Sequence, residues 1–397
     1  MNAFPILLIA AAAAAAPLPA RTIEVAPGAD AQERLQEALI EAQPGDTVRL
    51  AAGRFALTDG LSLDVDRVTV HGAGPAATVL SFKGQQGAGE GLLVTADDVV
   101  LRDFAVEDTK GDGIKSKGAD RIVLHNLRVE WTGGPSETNG AYGVYPVSST
   151  DVLVDAVVVR GASDAGIYVG QSRNIVVRNS LAEYNVAGIE IENSYHADVH
   201  NNVTRHNAGG ILVFDLPNLP QMGGHSVRIF ANEVVDNDTP NFAPKGNIVA
   251  SVPTGTGVMV MANRNVHIFG NRLENNGTAN VMLVGYRERF DDAGYNPLIR
   301  DVVVRDNRHG RAGFAPAFPG GDQLAAAMGG TLPPVFWDGT GERVIVRDPV
   351  PALSLGLPRP TAPLSEAQPA PARFPAGAVP AEPPAVRLPA GMDAAVR

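Results

Sequence analysis

The sequence contains no cysteine among its 397 residues. Disulfides, thiolate metal sites, lipidated cysteines and a cysteine nucleophile are therefore excluded. Aromatic residues make up only 6% of the chain, which is expected of a narrow interior with little room for large rings. Basic residues are outnumbered, with 32 Lys and Arg against 43 Asp and Glu and a net charge of −11. This balance argues against a nucleic-acid partner, which needs a basic stripe, but an anionic polysaccharide needs only a local cationic patch.

Long apolar runs are also missing after the first twenty residues, so no later stretch is predicted to cross a membrane. Residues 4–16 are apolar but too short to span a bilayer comfortably, and the small residue Ala20 precedes Arg21. This pattern predicts a signal peptide over residues 1–20, although no Lys or Arg precedes the run. The alternative is a buried helix or a retained anchor. We therefore expect a periplasmic or secreted protein.

A pattern repeats three times between residues 151 and 216. Gly166, Gly188 and Gly210 are 22 residues apart, and each leads a short run rich in β-branched residues. A period in the twenties with strand-length runs is typical of a solenoid. The sequence therefore predicts an all-β parallel β-helix, with residues 21–348 as one elongated domain.

The two ends of the chain differ from these repeats. Apolar residues recur at helical spacing over residues 30–42, with Asp30 as the predicted N-cap. A helix there would cover the open end of the β-stack, where bare strand edges invite aggregation. Residues 349–397 contain twelve prolines amid alanine. This composition predicts a disordered or extended tail, either a linker or a wall-crossing segment.

The opening of the chain resembles a known family at three points. These are the helix at 30–42, the Pro-Gly-Asp-Thr turn at 44–47 and the Ala-Gly-Arg-Phe step at 52–55. Together they resemble the N-terminal cap of the pectin-lyase-like superfamily of right-handed parallel β-helices. The resemblance extends over nearly all of residues 22–308 and implies that fold. It selects no activity, because the superfamily holds lyases, hydrolases, epimerases and non-enzymes.

Asparagine and aspartate recur at the bend that follows the first strand of each coil. Both residues tolerate left-handed backbone angles and bond to their own chain, so a structural role is predicted. Stacked coil on coil, they would form an internal ladder. The residues at these bends are Asp103, Asn126, Asp155, Asn179, Asn201, Asn202, Asn232, Asn271 and Asn307.

Side chains of the Gly-led strands should alternate between the core and the outer face. The inward positions are Ile114, Val144, Ile167, Ile189, Ile211 and Val258. The first outward column is Lys115, Tyr145, Tyr168, Glu190, Leu212 and Met259. The second outward column is Lys117, Val147, Gly170, Glu192, Phe214 and Met261. Neighbouring coils lie about 4.8 Å apart, so members of each column should touch.

Four insertions flank this face. Residues 132–142 and 237–256 come just before a Gly-led strand, and residues 216–225 and 285–300 come just after one. Long loops in a solenoid usually carry function, and insertions confined to one face often mark the binding face. A groove several sugar rings long is therefore predicted on this sheet.

The first outward column suits proton abstraction beside a uronate carboxylate. That chemistry needs a cation, a base and an acid for the leaving oxygen. Lys115 is predicted to neutralise the carboxylate, with Tyr145 or Tyr168 moving protons and Glu190 acting as base or positioning a hydroxyl. A nearby lysine would lower the pKa of a tyrosine. These four residues are the predicted catalytic set.

Four further residues are predicted to bind substrate: Lys117, Glu192, Asp164 and Phe214. Lys117 is an alternative neutralising cation. Asp164 is either a turn residue or an acid, and Phe214 either stacks on a sugar or packs against residues 237–256. Glu190 and Glu192 are two residues apart, about 7 Å along a strand, which also suits an inverting glycosidase.

Residues 142–147 read Tyr-Gly-Val-Tyr-Pro-Val. They resemble the mannuronan C5-epimerase signature Tyr-Gly-x-Asp-Pro-His at Tyr142, Gly143 and Pro146. The signature's acid and histidine fall on Tyr145 and Val147, so both reactive side chains are replaced. The resemblance implies a shared scaffold and a groove in the same place. The coils also resemble periplasmic NosD-type carbohydrate-binding and sugar-hydrolase repeats, a group that includes non-enzymatic accessory proteins.

Two functions follow. The first is an exported lyase or C5-epimerase acting on a uronate-containing polysaccharide; the second is a non-catalytic periplasmic protein that binds carbohydrate or assists an envelope protein partner. No cofactor is predicted. His196, His200 and His206 fall on a turn, a strand and the next turn, so they are not expected to converge on a metal. Calcium, held by oxygen ligands of Asp and Asn turns, is the one alternative.

Overall fold

The computed structural model describes residues 19–87 and 89–397, so the predicted signal peptide lies almost wholly outside the described residues. The fold is the expected one, a right-handed parallel β-helix built from three long sheets. Most coils contribute one strand in turn to sheet A, sheet B and sheet C, and the last coils lack the sheet B strand. In the described part of the chain, no helix is both long enough and apolar enough to cross a membrane.

The three sheets are defined by their strands, which pair in parallel apart from the last pair in sheet C. Sheet A contains Thr22–Val25, Thr47–Leu50, Thr69–His71, Val100–Arg102, Ile122–His125, Thr150–Asp155, Arg173–Arg178, Tyr195–His200, His225–Phe230, Arg264–Phe269, Arg300–Arg305 and Ile345–Val346. Sheet B contains Gly53–Ala56, Thr78–Ser81, Ala105–Glu107, Arg128–Glu130, Val158–Arg160, Leu181–Glu183, Val203–Arg205, Glu233–Val235, Arg272–Glu274 and Arg308–His309. Sheet C contains Leu61–Leu63, Leu92–Val94, Ile114–Lys117, Tyr142–Val147, Ala165–Gly170, Ala187–Glu192, Gly209–Phe214, Thr256–Met261, Ala279–Val284, Val335–Trp337, Ala352–Ser354 and Ala370–Pro371.

The helices are short. Helix α1, Ala31–Glu41, packs Leu35 and Leu39 onto the first coils, as predicted for an N-terminal cap. Asp30 precedes it but makes no capping hydrogen bond with its side chain. Its carboxylate pairs instead with Arg34, at 2.9 Å. The remaining helices are α2 (Gly321–Ala327), α3 (Ala390–Ala394) and the 3-10 turns Ile248–Ser251 and Leu364–Glu366.

The core is a stack of aliphatic side chains from all three sheets. The predicted inward residues, from Ile114 to Val258, are fully buried in it. The glycine that leads each repeat is required by a close approach between coils. A Cβ on Gly188 would lie 2.6 Å from the carbonyl oxygen of Gly210. The 22-residue recurrence of glycine therefore reflects the spacing of stacked backbones.

The predicted internal ladder is present from Asn202 to Asn307. The Asn232 side chain accepts hydrogen bonds from the backbone and side-chain nitrogens of Asn202, both at 3.0 Å. It donates to the Val199 carbonyl at 2.9 Å and to Asn271 at 3.0 Å. A second ladder, between sheets B and C, was not predicted; it consists of Asn185, Asn207, Asn237 and Asn276.

Replacing Asn232 by alanine should lower the free energy of unfolding by about 3 kcal/mol, because buried partners on two neighbouring coils lose their hydrogen bonds. The midpoint of urea unfolding measures the effect. Glu233→Ala is the matched control, since that neighbouring side chain is exposed and makes only an ion pair with Arg272 at 3.3 Å. Equal midpoints for the two variants would contradict the ladder's contribution.

The proline-rich segment, predicted to be disordered or extended, contains an extended strand and buried side chains. Ala352–Ser354 adds a parallel strand to sheet C, and Leu353, Leu355 and Leu357 are buried. Further on, Met392 packs on the outer face of sheet A. The physical reason is spacing: leucines two residues apart point to one face of a strand and bury there despite the many prolines.

Candidate functional site

The two outward columns predicted for sheet C are in register. Lys115 pairs with Tyr145, Tyr168 with Glu190, and Gly170 with Glu192. The columns continue from the two glutamates to Leu212 and Phe214, then to Met259 and Met261. The β-helix thus brings residues far apart in sequence onto one strip, which we call the sheet C strip.

The Tyr168 side chain passes over Gly170 to form a hydrogen bond with Glu192. A Cβ on Gly170 would lie 2.3 Å from the Tyr168 hydroxyl, so only glycine lets the ring lie across this site. The hydroxyl then reaches the next coil and donates a hydrogen bond to Glu192 Oε1 at 2.7 Å. Both side chains are buried. Glu192 is therefore held in one orientation.

Three buried carboxyl groups of this region have pKa values raised to about 6 or 7. Burial, together with the charge of Glu192, raises the pKa of Asp164 to about 7, opposed by a hydrogen bond from Asn247 at 3.1 Å. Burial raises the pKa of Glu192 to about 7, although the Tyr168 hydroxyl stabilises its ionised form. Burial raises the pKa of Asp215 to about 6 against two backbone hydrogen bonds. Groups with pKa values near neutrality are suited to donate and accept protons.

Glu190 is not available as the predicted base. Its side chain is 1% exposed, and both carboxylate oxygens are buried without a hydrogen-bond partner. Burial, reinforced by the charges of Asp164 and Glu192, raises the pKa of Glu190 well above its usual value. Burial therefore favours the neutral acid over the ionised form that a base requires. The alternation of strand residues predicted its face correctly but not its burial between Tyr168 and Leu212 of the neighbouring coils.

The tyrosines form a cluster that the sequence predicted only in part. The ring of Tyr142 lies 4.4 Å from that of Tyr145 and 4.5 Å from that of Tyr168, between centroids. Burial raises the pKa of Tyr145 and outweighs the opposite effect of Lys115. Burial and the charge of Glu192 also raise the pKa of Tyr168. The expected lowering by lysine is therefore reversed, and these hydroxyls act as donors.

Lys115 is already engaged. Its ammonium group lies 2.8 Å from Glu90 and 3.5 Å from Asp112, and 4.8 Å from the centroid of the Tyr145 ring. Burial opposes its charge, but these ion pairs outweigh burial and raise the pKa of Lys115. Lys117 is exposed further along the same strand. Lys115 therefore positions Tyr145 and does not present a free charge to a ligand.

A cavity of about 400 Å³ opens beside Asp164 and Glu192. All four predicted insertions line it, as expected of loops that overhang one sheet. The lining residues from these loops are Ala141, Tyr142, Leu216, Pro217, Asn218, Leu219, Asn247, Ile248, Tyr286 and Arg289. Arg289 is the one basic side chain among the residues that line this cavity.

The far end of the sheet C strip is apolar. Phe214 is fully buried, in the same apolar cluster as Val249 and Val252 of the 237–256 loop, so it is not exposed to a ligand. Met259 and Met261 line a neighbouring pocket of about 310 Å³. Of the two alternatives for Phe214, burial in this cluster favours packing over stacking on a sugar.

The histidines do not converge. His196 lies beside the ring of His225 at 5.1 Å, while His200 stacks on Phe230 and His206 on Tyr184. Within residues 19–87 and 89–397, no group of three or more His, Asp or Glu side chains is arranged to hold a metal ion.

Three residues of the site escaped sequence reasoning. Tyr142 matched the epimerase signature but lies at the start of its strand, outside the alternation used to choose outward residues. Asp215 directly follows Phe214, a member of the second outward column, so its position in the sequence could have indicated that it lies near the site. Arg289 lies in an irregular loop, and its position depends on how that loop folds over the sheet.

Comparison with known proteins supports the architecture. Residues 90–250 match the family described as Right handed beta helix region. The chain is similar to the A-module of the Azotobacter vinelandii mannuronan C-5 epimerase AlgE4, with a TM-score of 0.56 and 15% identity over 82% of this chain and 93% of that one. The A-module of AlgE6 from the same organism gives a TM-score of 0.53 and 16% identity over 82% and 92%. No curated protein matches the sequence.

These identities establish a shared fold and leave the reaction open. Tyr145 and Val147 occupy the positions of the signature's acid and histidine, and both lie on the strand Tyr142–Val147. The structure and the family match agree on the same conclusion: this chain is a right-handed parallel β-helix.

Proposed function

We propose that this protein is exported and acts on a uronate-containing polysaccharide by lyase- or C5-epimerase-type proton transfer at the sheet C strip. The observation that carries the proposal is the pair Asp164 and Glu192. Both carboxyl groups are buried, both have a pKa of about 7, and both line a cavity rimmed by four loops.

The pair can supply both proton-transfer roles. Near neutral pH one carboxyl group is ionised and acts as the base that removes the C5 proton, while the other remains protonated as the acid. In a lyase, the C4–O bond then breaks, the leaving oxygen takes a proton and a C4–C5 double bond forms. In an epimerase, a proton returns to C5 from the opposite face of the ring.

The substrate carboxylate needs a positive partner, because its charge otherwise opposes removal of the neighbouring proton. Arg289 takes this role in our proposal, since Lys115 is held by Glu90 and Asp112. The tyrosine hydroxyls serve as hydrogen-bond donors. Structural similarity to two mannuronan C-5 epimerase A-modules supports a uronate as the sugar.

Hydrolysis is the second candidate, and one observation favours it. Two carboxyl groups in one cavity are the usual equipment of glycoside hydrolases, where one acts as acid and the other as base or nucleophile. This reaction would not require the acid and histidine that Tyr145 and Val147 replace. Hydrolysis would also not require Arg289 to neutralise a substrate carboxylate.

A product assay separates these reactions. The protein is incubated with alginate, pectate and neutral glucans, and three products are followed: ultraviolet absorbance of unsaturated uronates, new reducing ends, and C5 inversion by proton nuclear magnetic resonance. Absorbance identifies elimination, inversion without cleavage identifies epimerisation, and reducing ends without absorbance identify hydrolysis. Binding with no product on any substrate would overturn catalysis and leave a carbohydrate-binding or envelope accessory protein.

A further inference from the structure

The C-terminal segment from residue 375 to 397 crosses the outer face of sheet A, whereas the candidate site lies on sheet C, and we call this segment the C-terminal strap. Met392 packs against Val123, Leu153 and Val176, which are apolar positions on that face. A second point of attachment is polar. There the Glu382 carboxylate lies between two arginines that come from different coils of sheet A.

The two arginines grip Glu382 from both sides. Arg228 Nε donates to Oε1 at 2.9 Å, and Arg305 Nη2 donates to Oε2 at 2.5 Å. The Arg228 side chain is 13% exposed, so its charge is largely withdrawn from water. It also donates to Asp198, at 2.9 Å, and Arg305 donates to Asp306, at 2.6 Å, so each arginine has one carboxylate partner besides Glu382. A carboxylate held by two guanidinium groups is a strong charge-assisted arrangement.

Aromatic rings hold the two guanidinium groups in place. His200, Phe230 and Phe269 stack on successive coils with centroids 4.8 and 5.2 Å apart. The guanidinium of Arg305 lies 4.3 Å from the centroid of Phe269, and that of Arg228 lies 4.8 Å from the centroid of Phe230. Cation–π contacts of this kind fix an arginine before any ligand arrives. The arginines are therefore positioned by sheet A and not by the strap.

We propose that Arg228 and Arg305 form a second binding site, for the carboxylates of an acidic polysaccharide, which Glu382 of the C-terminal strap occupies in the resting protein. The proposal rests on the proposed function for its ligand class. A uronate presents the same carboxylate as Glu382 and competes for the same donors. The strap has other anchors, such as the Asp393 pair with Arg178 at 3.0 Å, so it can release the arginines without leaving the protein.

The test measures binding separately from turnover. Full-length protein carrying Glu192→Gln, to suppress turnover, is compared with the same protein carrying Glu382→Gln in addition. The probe is polymannuronate, with neutral dextran as the uncharged control, and affinity is measured by calorimetry. Removing the internal competitor should tighten polymannuronate binding by about fivefold or more, the scale of one lost intramolecular ion pair. Binding of dextran should not change.

Glu366→Gln is the matched control, because Glu366 belongs to the same C-terminal region but pairs with Arg359 at 3.4 Å. The gain in affinity for polymannuronate must also disappear when Arg228→Gln and Arg305→Gln are added to Glu382→Gln. Circular dichroism checks that these variants are folded, and Arg305→Lys serves as a variant that keeps the charge. Equal affinities for the Glu382 and Glu366 variants, a gain that survives loss of both arginines, or no binding by any variant would each overturn the site. Turnover is measured separately on the native protein. Native turnover with no gain in binding from Glu382→Gln would contradict only the second site, and the gain in binding with no native turnover would contradict only the proposed reaction.

Discussion

Replacing Glu192 by glutamine is expected to lower the turnover of a polyuronate by about 10²- to 10⁴-fold, the contribution of a positioned acid or base. Glutamine keeps the shape of the side chain and an oxygen that accepts from the Tyr168 hydroxyl, at 2.7 Å in the native protein. The charge and the exchangeable proton are lost. Folding should therefore be preserved while chemistry is not, and initial rates together with thermal unfolding measure the two effects.

Controls distinguish the pair from its surroundings. Glu233→Gln makes the same chemical change at an exposed side chain of sheet B and should leave the turnover rate unchanged. Asp164→Asn should produce a loss comparable to that of Glu192→Gln. Because both native groups have pKa values of about 7, the native rate should peak near neutral pH, and each variant should lose one limb of that profile. Variants that both keep the native rate would move the chemistry away from this cavity.

The sequence predicted the fold because the solenoid repeats its physical requirements in every coil. Gly188 is needed wherever two backbones approach, and Asn232 wherever a bend must bond to the coils on both sides. Each requirement recurs at the same position in successive coils. The register of the sheet C strip, from Lys115 to Glu192, follows from that recurrence and from strand alternation.

Sequence reasoning also missed contacts that the repeat itself offered. Glu90 and Asp112, which engage Lys115, are 22 residues apart, and each directly precedes the glycine that leads a strand of sheet C, but the outward columns were drawn from the strands alone. The burial of Glu190 was missed because strand alternation gives the face on which a side chain lies and not its exposure. In the tail, alternating leucines such as Leu353 and Leu355 were a strand signal, but the proline content outweighed it.

For Glu190 we expect an effect on the free energy of unfolding, whereas for Glu192 we expect an effect on turnover. The folded pKa of Glu190 is raised far above the value of an exposed glutamate, because the side chain is buried without hydrogen-bond partners. As pH rises past the ordinary value, the unfolded chain loses this proton while the folded chain keeps it. The unfolded state is then favoured by up to about 1.4 kcal/mol for each pH unit, until the folded group also ionises. The stabilising contribution of the protonated acid is therefore complete in acid and is lost toward alkaline pH.

Glu190→Gln removes that linkage, since glutamine has no proton to lose. The variant should be more stable than the native protein at and above neutral pH, with a gap that widens as pH rises and narrows in acid. Urea unfolding across a pH series measures it, with Glu233→Gln as the exposed control that should track the native curve. Asp164 and Glu192 contribute slopes of the same sign up to about pH 7, and these remain in the variant. If the free energies of unfolding of the native protein and of Glu190→Gln changed in parallel with pH, Glu190 would have to be ionised or solvated in the folded state. That result would contradict a buried, protonated Glu190.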